Sequence, residues 1–317
     1  MQNSHAEKFA FVFPGQGSQS VGMLKDYVSA YPVVNATFEQ ASSILGYDLW
    51  SLVQNGPEVD LNHTEITQPA LLTAGVAIWK VWQLCGGQNP DFLAGHSLGE
   101  YTALVCSGVL RFEDAVTLVR DRGKYMQESV PSGAGAMAAI IGLDSARIEQ
   151  LCLEAAIGGI VSAANYNSPE QTVIAGEVEA VTRANELCKA AGAKRALLLP
   201  VSVPSHCLLM KAAAERLELR LNDIAFNPPG IPVLQNIDAQ ARESADAIKA
   251  ALVKQLHQPV RWVDTINRLG ELQCRTIIET GPGKVLTGLI KRINKDINTV
   301  SITDINSLEQ TVKQMQK

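Results

Sequence analysis

Asp91-Phe92-Leu93-Ala94-Gly95-His96-Ser97-Leu98-Gly99-Glu100 carries a short apolar segment into a Gly-x-Ser-x-Gly turn, and Tyr101 to Val105 starts a helical pattern directly behind it. Strand, sharp turn and helix in that order are the context of a nucleophile elbow. Glycines flank the serine because larger side chains would collide in so tight a turn. The same geometry exposes the Ser97 hydroxyl at a helix N-terminus, with the Leu98 N–H beside it as a donor to a developing oxyanion. The plainer reading is a structural glycine turn without chemistry. Outward from this stretch, Phe9 to Phe13 is another apolar run ended by Pro14-Gly15-Gln16-Gly17, and Phe112 to Met126 is helical with apolar residues at 115, 116, 118, 119 and 126. Strand, turn and helix keep succeeding one another, which argues for an α/β architecture around a largely parallel central sheet.

The pattern changes at Pro131-Ser132-Gly133-Ala134-Gly135. Beyond it, Ala136 to Leu143, Gly159 to Ala164, Thr172 to Ala175 and Ala196 to Val203 read as strands, and Ser145 to Ala156 and Val178 to Ala191 as helices. The order β-α-β-β-α-β fits a small ferredoxin-like unit. Thr276 to Ile278 then leads into Glu279-Thr280-Gly281-Pro282-Gly283, where the main sheet is expected to resume. The small unit, 131–202, is therefore read as an insertion between 1–130 and 203–317 of one larger domain.

Composition narrows the class of protein. The chain has 317 residues, 46% of them hydrophobic and 19% charged, which excludes disordered, collagenous and coiled-coil chains. A formal charge of −5 gives no support to nucleic-acid or membrane-surface binding, so any basic docking patch must be local. The six cysteines, at 85, 106, 152, 188, 207 and 274, form no CxxC pair and have mostly apolar neighbours, the pattern of buried free thiols in a reducing compartment. No signal-peptide hydrophobic region develops before Pro14, and Lys80 interrupts the apolar stretch Leu71 to Val81 before transmembrane length. A cytoplasmic protein is expected, with a monomer as the default assembly.

A serine hydroxyl needs a base, and the histidines lie at 5, 63, 96, 206 and 257. His5 is in a polar leader. His96 adjoins Ser97, and neighbouring residues at a strand end point to opposite sides, so it is better suited to support the elbow than to take its proton. His63 lies in a polar loop and His257 near a helix end before Pro259. His206 follows Pro200-Val201-Ser202-Val203-Pro204-Ser205, where two prolines restrict the backbone; it is either the base or an ordinary hydrogen-bonded loop histidine. Arg122 falls on the apolar stripe of 115, 118, 119 and 126, whereas Arg120 and Lys124 lie off it. An inward arginine needs an anion, either a protein carboxylate (Asp121, Glu113 or Glu100) or an acidic substrate gripped through two parallel hydrogen bonds. The Gly15–Ser20 turn lacks the full GxGxxG pattern and Gly281-Pro282-Gly283-Lys284 lacks P-loop spacing; no zinc spacing or carboxylate cage is evident.

Taken together, Phe13-Pro14-Gly15-Gln16-Gly17-Ser18-Gln19, Gly95-His96-Ser97-Leu98-Gly99-Glu100, Arg122-Gly123-Lys124, Asn165-Tyr166-Asn167-Ser168-Pro169, Pro204-Ser205-His206 and Glu279-Thr280-Gly281-Pro282-Gly283 resemble the bacterial malonyl-CoA:acyl carrier protein transacylases over nearly the whole chain. The resemblance implies an α/β-hydrolase-like large domain with a ferredoxin-like insertion and Ser97 in the cleft between them. It implies Ser97 as nucleophile, His206 as general base and acid, Arg122 as clamp for the malonyl carboxylate, and Gln16 and Leu98 backbone amides as the oxyanion hole. It further implies the Gln255 carbonyl as the group orienting the histidine, and Gln68 and Asn167 as pocket contributors. Malonyl-CoA and acyl carrier protein would be the substrates, with no metal or other cofactor. Lys194, Arg195, Lys291 and Arg292 are candidate docking charges for an acidic carrier. A serine esterase or thioesterase, an acyltransferase of polyketide assembly, and a non-catalytic carrier-docking module are the competing readings. Val203-Pro204-Ser205-His206 departs from the Phe-His pairing of some malonyl-specific relatives, which leaves tolerance for larger acyl groups open.

Overall fold

The computed structural model of the chain describes residues 7–201 and 203–316; His5 and Ser202 lie outside the described residues. The strands are β1 (Lys8–Phe13), β2 (Phe92–Gly95), β3 (Gly135–Ile141), β4 (Val161–Ser168), β5 (Gln171–Glu177), β6 (Arg195–Leu198), β7 (Val233–Leu234), β8 (Cys274–Glu279) and β9 (Asn298–Ser301).

Five strands form one sheet in the order β7-β2-β1-β8-β9, and each neighbouring pair is parallel. A parallel sheet is covered on both faces, and the central strand accordingly buries every residue from Phe9 to Phe13. On one face Phe11 meets Trp79 and Trp82 of the helix Thr64–Leu84 edge-on, at 5.5 and 4.9 Å. On the other, Ala10 and Val12 pack with Trp262, Ile266 and Leu269. Lys80, which breaks the apolar run in that helix, lies half-buried and donates to Thr37 Oγ1 at 3.1 Å. Among the described residues no helix is long and apolar enough to cross a membrane. All six cysteines are free thiols.

Parallel strands deliver their C-terminal ends to one edge of the sheet, the usual place for a site in such a fold. The turn after β1 reaches the elbow after β2 there: a Cβ on Gly15 would stand 2.5 Å from the His96 carbonyl oxygen. The loop after β8 closes on the same turn, where a Cβ on Gly281 would stand 2.7 Å from Pro14. Glu279 ends β8 buried and accepts the N–H groups of Leu286 and Thr287, which caps the next helix instead of entering the site.

The second sheet is antiparallel, in the order β4-β5-β3-β6, with helices Ser145–Ala155 and Val178–Ala190 packed on it. Its connectivity is the expected β-α-β-β-α-β. Tyr166 N–H donates to Val260 O, and Val260 N–H to Ala164 O, both at 2.9 Å, so β4 is tied to the chain segment beside the parallel sheet.

Several boundaries differ from the sequence reading. The elbow helix begins at Leu98, directly after the serine, where Tyr101 was the expected start. β6 stops at Leu198, short of Val203, because this edge strand has β3 as its one ladder partner and the chain then turns away through a Val201 N–H to Leu199 O contact. The parallel sheet resumes at β7, well before β8. β7 is two residues long and carries no alternation to read.

Candidate active site

Ser97 sits at the elbow with φ 52° and ψ −108°, backbone that non-glycine residues rarely adopt. Its flanking glycines are demanded by backbone contact: a Cβ on Gly99 would lie 2.0 Å from Phe13 O, and one on Gly95 would lie 1.9 Å from the Gly99 carbonyl carbon. Asn236, fully buried just past β7, holds the turn from the far side. Its Oδ1 accepts the Ser97 N–H at 2.7 Å and its Nδ2 donates to Gly95 O at 2.6 Å. Leu98, the first helical residue, has an N–H with no intrahelical acceptor. Gln16 lies in the exposed turn after β1, its side-chain amide donating to Thr64 Oγ1 at 3.4 Å.

His206 is buried, with φ 62°, and its backbone N–H donates to Leu256 O at 3.0 Å. Nδ1 lies 2.7 Å from Gln255 O and Nε2 lies 2.8 Å from Ser97 Oγ. A carbonyl only accepts, so Nδ1 carries the proton and Nε2 offers its lone pair to the serine hydroxyl. Burial pushes the imidazole down to about 3, the Arg122 cation and His96 add to this, and the Gln255 carbonyl opposes it. The ring is neutral at pH 7. Of the other described histidines, His96 Nε2 is 2.8 Å from Asn167 Oδ1 and its ring meets Trp262 edge-on, as expected of an elbow support. Asn167 is thereby committed to His96. His63 precedes the helix Thr64–Leu84 and His257 ends the helix Ala245–His257.

Arg122 is 0% exposed on the helix Phe112–Glu128. Nη1 donates to Gln68 Oε1 at 2.7 Å, and Nη2 donates to Gln255 Oε1 at 3.1 Å and to Ser97 Oγ at 3.3 Å. The guanidinium carbon lies 5.2 Å from the Tyr101 ring centre. Arg122 Nε and the Tyr101 hydroxyl are close enough to influence one another electrostatically, yet neither meets hydrogen-bond geometry. Among the described residues no carboxylate forms an ion pair with Arg122. Asp121 pairs with Arg120 and Arg220, and Glu113 with Gln40 and Arg111. Glu100 is separated from Arg122 by the Gln255 amide. The protein carboxylate that was one of two ways to complete the arginine is therefore missing.

Ser97, His206, Arg122, Gln68 and Gln255 thus meet in one cluster. Sequence reasoning overlooked Asn236, Gln235 and the side-chain role of Gln255. The signal was present in Leu234-Gln235-Asn236, two polar residues directly after an apolar segment, which is the composition of a strand end at a site. Among the described residues no group of three or more His, Cys, Asp or Glu side chains is placed to hold a metal ion.

A neutral imidazole on a serine at a glycine elbow is the apparatus of acyl transfer through a serine ester. Residues 10–316 match the family model described as acyl transferase domain. The chain belongs to this family and, within it, to the malonyl CoA-acyl carrier protein transacylases. It is 58% identical over 299 residues to the malonyl CoA-acyl carrier protein transacylase of Escherichia coli K12, covering 94% of this chain and 96% of that one. With the Bacillus subtilis protein of the same name it shares 43% over 311 residues, 98% of each chain. An acyl carrier protein S-malonyltransferase from Vibrio cholerae superposes with a TM-score of 0.94 at 56% identity, covering 96% of this chain and 99% of that one. A malonyl-transacylase solved in complex with a type II PKS acyl-carrier protein gives 0.96 at 57% identity, with 97% and 99% covered.

The folded imidazole of His206 titrates below its unfolded value, so the unfolded chain takes up this proton first as pH falls. The stabilisation from this group is complete above about pH 6.5 and is lost as pH drops toward about 3. Ring 15N shifts recorded against pH are expected to keep His206 in the Nδ1–H form throughout the range from about 5 to 8. A midpoint near 6.5 would contradict the enclosure described here.

Proposed function

We propose that the chain moves a malonyl group from malonyl-CoA to the phosphopantetheine thiol of acyl carrier protein, supplying units for fatty-acid synthesis. Family membership supports the activity, and one observation carries the choice of acyl group: a buried guanidinium without a carboxylate partner stands 3.3 Å from the Ser97 hydroxyl. We take 1–130 with 203–317 as the catalytic unit and 131–202 as its insertion.

Ser97 Oγ attacks the thioester carbonyl while His206 Nε2 takes the hydroxyl proton. The Leu98 and Gln16 backbone N–H groups stabilise the tetrahedral oxyanion. The C–S bond breaks, His206 returns the proton to the departing coenzyme A sulfur, and a malonyl-Ser97 ester remains. The carrier's pantetheine thiol then repeats the steps in reverse order, giving up its proton to His206 and regenerating the free hydroxyl. The two thioesters are similar in energy, so the exchange runs both ways. The malonyl carboxylate pairs with Arg122, with Gln68 beside it. An acetyl group leaves the guanidinium unpaired, a penalty of about 3–5 kcal/mol for a buried charge.

The four candidate docking charges support the same reading. Arg195 and Gln171 flank Ile141 in neighbouring ladders, and Arg292 Nη1 donates to Gln171 Oε1 at 3.1 Å. Lys194 Nζ is 3.4 Å from exposed Glu170, next to Gln171. Lys194, Arg195 and Arg292, with Lys291 adjacent, therefore gather at one end of the antiparallel sheet, where an acidic carrier would be steered. A second reading, service to a polyketide carrier, is favoured by the structural relative solved with such a carrier. The chemistry at Ser97 is the same in both.

Intact-protein mass after mixing with malonyl-CoA is expected to rise by one malonyl group, discharged by holo carrier and absent in Ser97→Ala. Rapid release of free malonate without carrier would indicate a thioesterase instead. Arg122→Ala is expected to lower kcat/KM for malonyl-CoA by on the order of a hundredfold or more while acetyl-CoA is affected far less. An unchanged preference rejects the clamp.

Combined neutralisation of Lys194, Arg195, Lys291 and Arg292 is expected to reduce kcat/KM for the carrier by about tenfold, with the loss shrinking at high salt and malonyl-CoA kinetics nearly unaltered. Equal losses for both substrates would argue against a docking face. Parallel assays with fatty-acid and polyketide carriers separate the two readings.

A further inference from the structure

We propose that Glu100 is a positioning residue whose buried carboxylate fixes the polarity of the site, turning the Gln255 amide toward Arg122 and, through Asn236, holding the backbone of the nucleophile. The inference rests on the roles given above to Ser97, His206 and Arg122.

Glu100 is 0% exposed, in the first turn of the elbow helix. Among the described residues no cation forms an ion pair with it. A buried carboxylate in that condition persists only if donors surround it. Its Oε2 accepts from Asn236 N–H at 2.8 Å and from Gln255 Nε2 at 3.0 Å, and its Oε1 from Gln235 Nε2 at 3.2 Å. Burial still raises it to about 7, against the pull of those hydrogen bonds and of Arg122.

The consequence lies in what each neighbour is able to donate. Gln255 Nε2 faces two groups, Glu100 Oε2 and Ser97 O, both at 3.0 Å; the Asn236 backbone N–H, which can only donate, marks Oε2 as an acceptor, and a carbonyl accepts alone. Both amide hydrogens are thereby committed, which leaves Oε1 for Arg122 Nη2. With the carboxylate removed one amide hydrogen loses its acceptor, and Ser97 O alone is left to hold the NH2 group away from the guanidinium. Acceptor character thus passes from Glu100 through Gln255 to Arg122, whose Nη2 stays aimed at Ser97 Oγ. Along a second arm, Glu100 holds the Asn236 backbone, and the Asn236 side chain holds Ser97 N–H and Gly95 O. His206 is held by the Gln255 backbone carbonyl, which a side-chain substitution leaves in place.

The test compares Glu100→Ala, Glu100→Gln and Gln255→Met with wild type in malonyl-CoA and acetyl-CoA kinetics, with circular dichroism to establish folding. Wild-type formation of malonyl-Ser97 tests the underlying reading by itself; the variants test this inference. Glu100→Ala is expected to lose about ten- to hundredfold in kcat/KM for malonyl-CoA, the rate equivalent of one hydrogen bond to a charged group, and to lose malonyl-over-acetyl preference as well. In Glu100→Gln the amide oxygen is able to take the Oε2 contacts, and most of the rate and preference is expected to return. Gln255→Met is expected to lose more with malonyl-CoA than with acetyl-CoA. A folded Glu100→Ala with wild-type rate and preference overturns the proposal, as does Glu100→Gln impaired as deeply as alanine. Should Glu100→Ala fail to fold, Gln255→Met decides: an unchanged preference overturns the link to Arg122, and a lowered one supports it.

Discussion

A fully buried guanidinium whose two terminal nitrogens meet only neutral oxygens is the constraint around which the site is arranged. Arg122 meets the amide oxygens of Gln68 and Gln255 and the hydroxyl of Ser97, over the face of Tyr101. Amides accept hydrogen bonds without cancelling charge. The desolvated cation is therefore held in a fixed direction while its field remains available to an incoming anion, whereas an internal carboxylate would have occupied both the geometry and the charge. Glu100 lies close enough to influence the cation but is kept one amide away. That single intervening residue keeps Arg122 from forming a structural ion pair and leaves it open to the acid proposed as its ligand.

The parallel sheet makes such an arrangement possible because it brings loops remote in sequence to one edge. Ser97 comes from the end of β2, Asn236 from the end of β7, and Gln255 and His206 from segments placed against them; the bonds joining these residues span 139, 158 and 109 positions. Rigidity follows from hydrogen bonds that converge on the elbow from both sides and from glycines packed to backbone contact. The strained φ of Ser97 and that of His206 persist because their surroundings determine them several times over.

What was legible in the sequence divides along the same line. The elbow, the β-α-β-β-α-β unit and the inward arginine are local patterns, written in spacing within a few turns or strands. Which anion completes Arg122 was not local. Asp121, Glu113 and Glu100 each remained open as an internal partner, and only three-dimensional packing shows the first two engaged elsewhere. Gln255 entered through family resemblance as a backbone carbonyl. Its side chain was invisible to charge patterning because an uncharged amide inside a helix leaves no signature. Asn236 follows a two-residue strand too short to register as periodic.

The low proton affinity of His206 bears on how these parts act together. An imidazole held near 3 stays deprotonated at neutral pH but, in the base role proposed for it, would accept a serine proton reluctantly, since general-base efficiency is greatest with a pKa close to the working pH. Burial is the first cause of the depression and the Arg122 cation the second. On the proposed reading, a malonyl carboxylate paired with Arg122 would offset the second cause by placing a negative charge beside the imidazole. The ligand proposed for the arginine would thus also strengthen the imidazole proposed to activate Ser97, while an acyl group without a carboxylate would leave that imidazole at its weakest. On the proposed mechanism, selectivity would then act on the chemical step as well as on binding, through one residue that also touches the Ser97 hydroxyl.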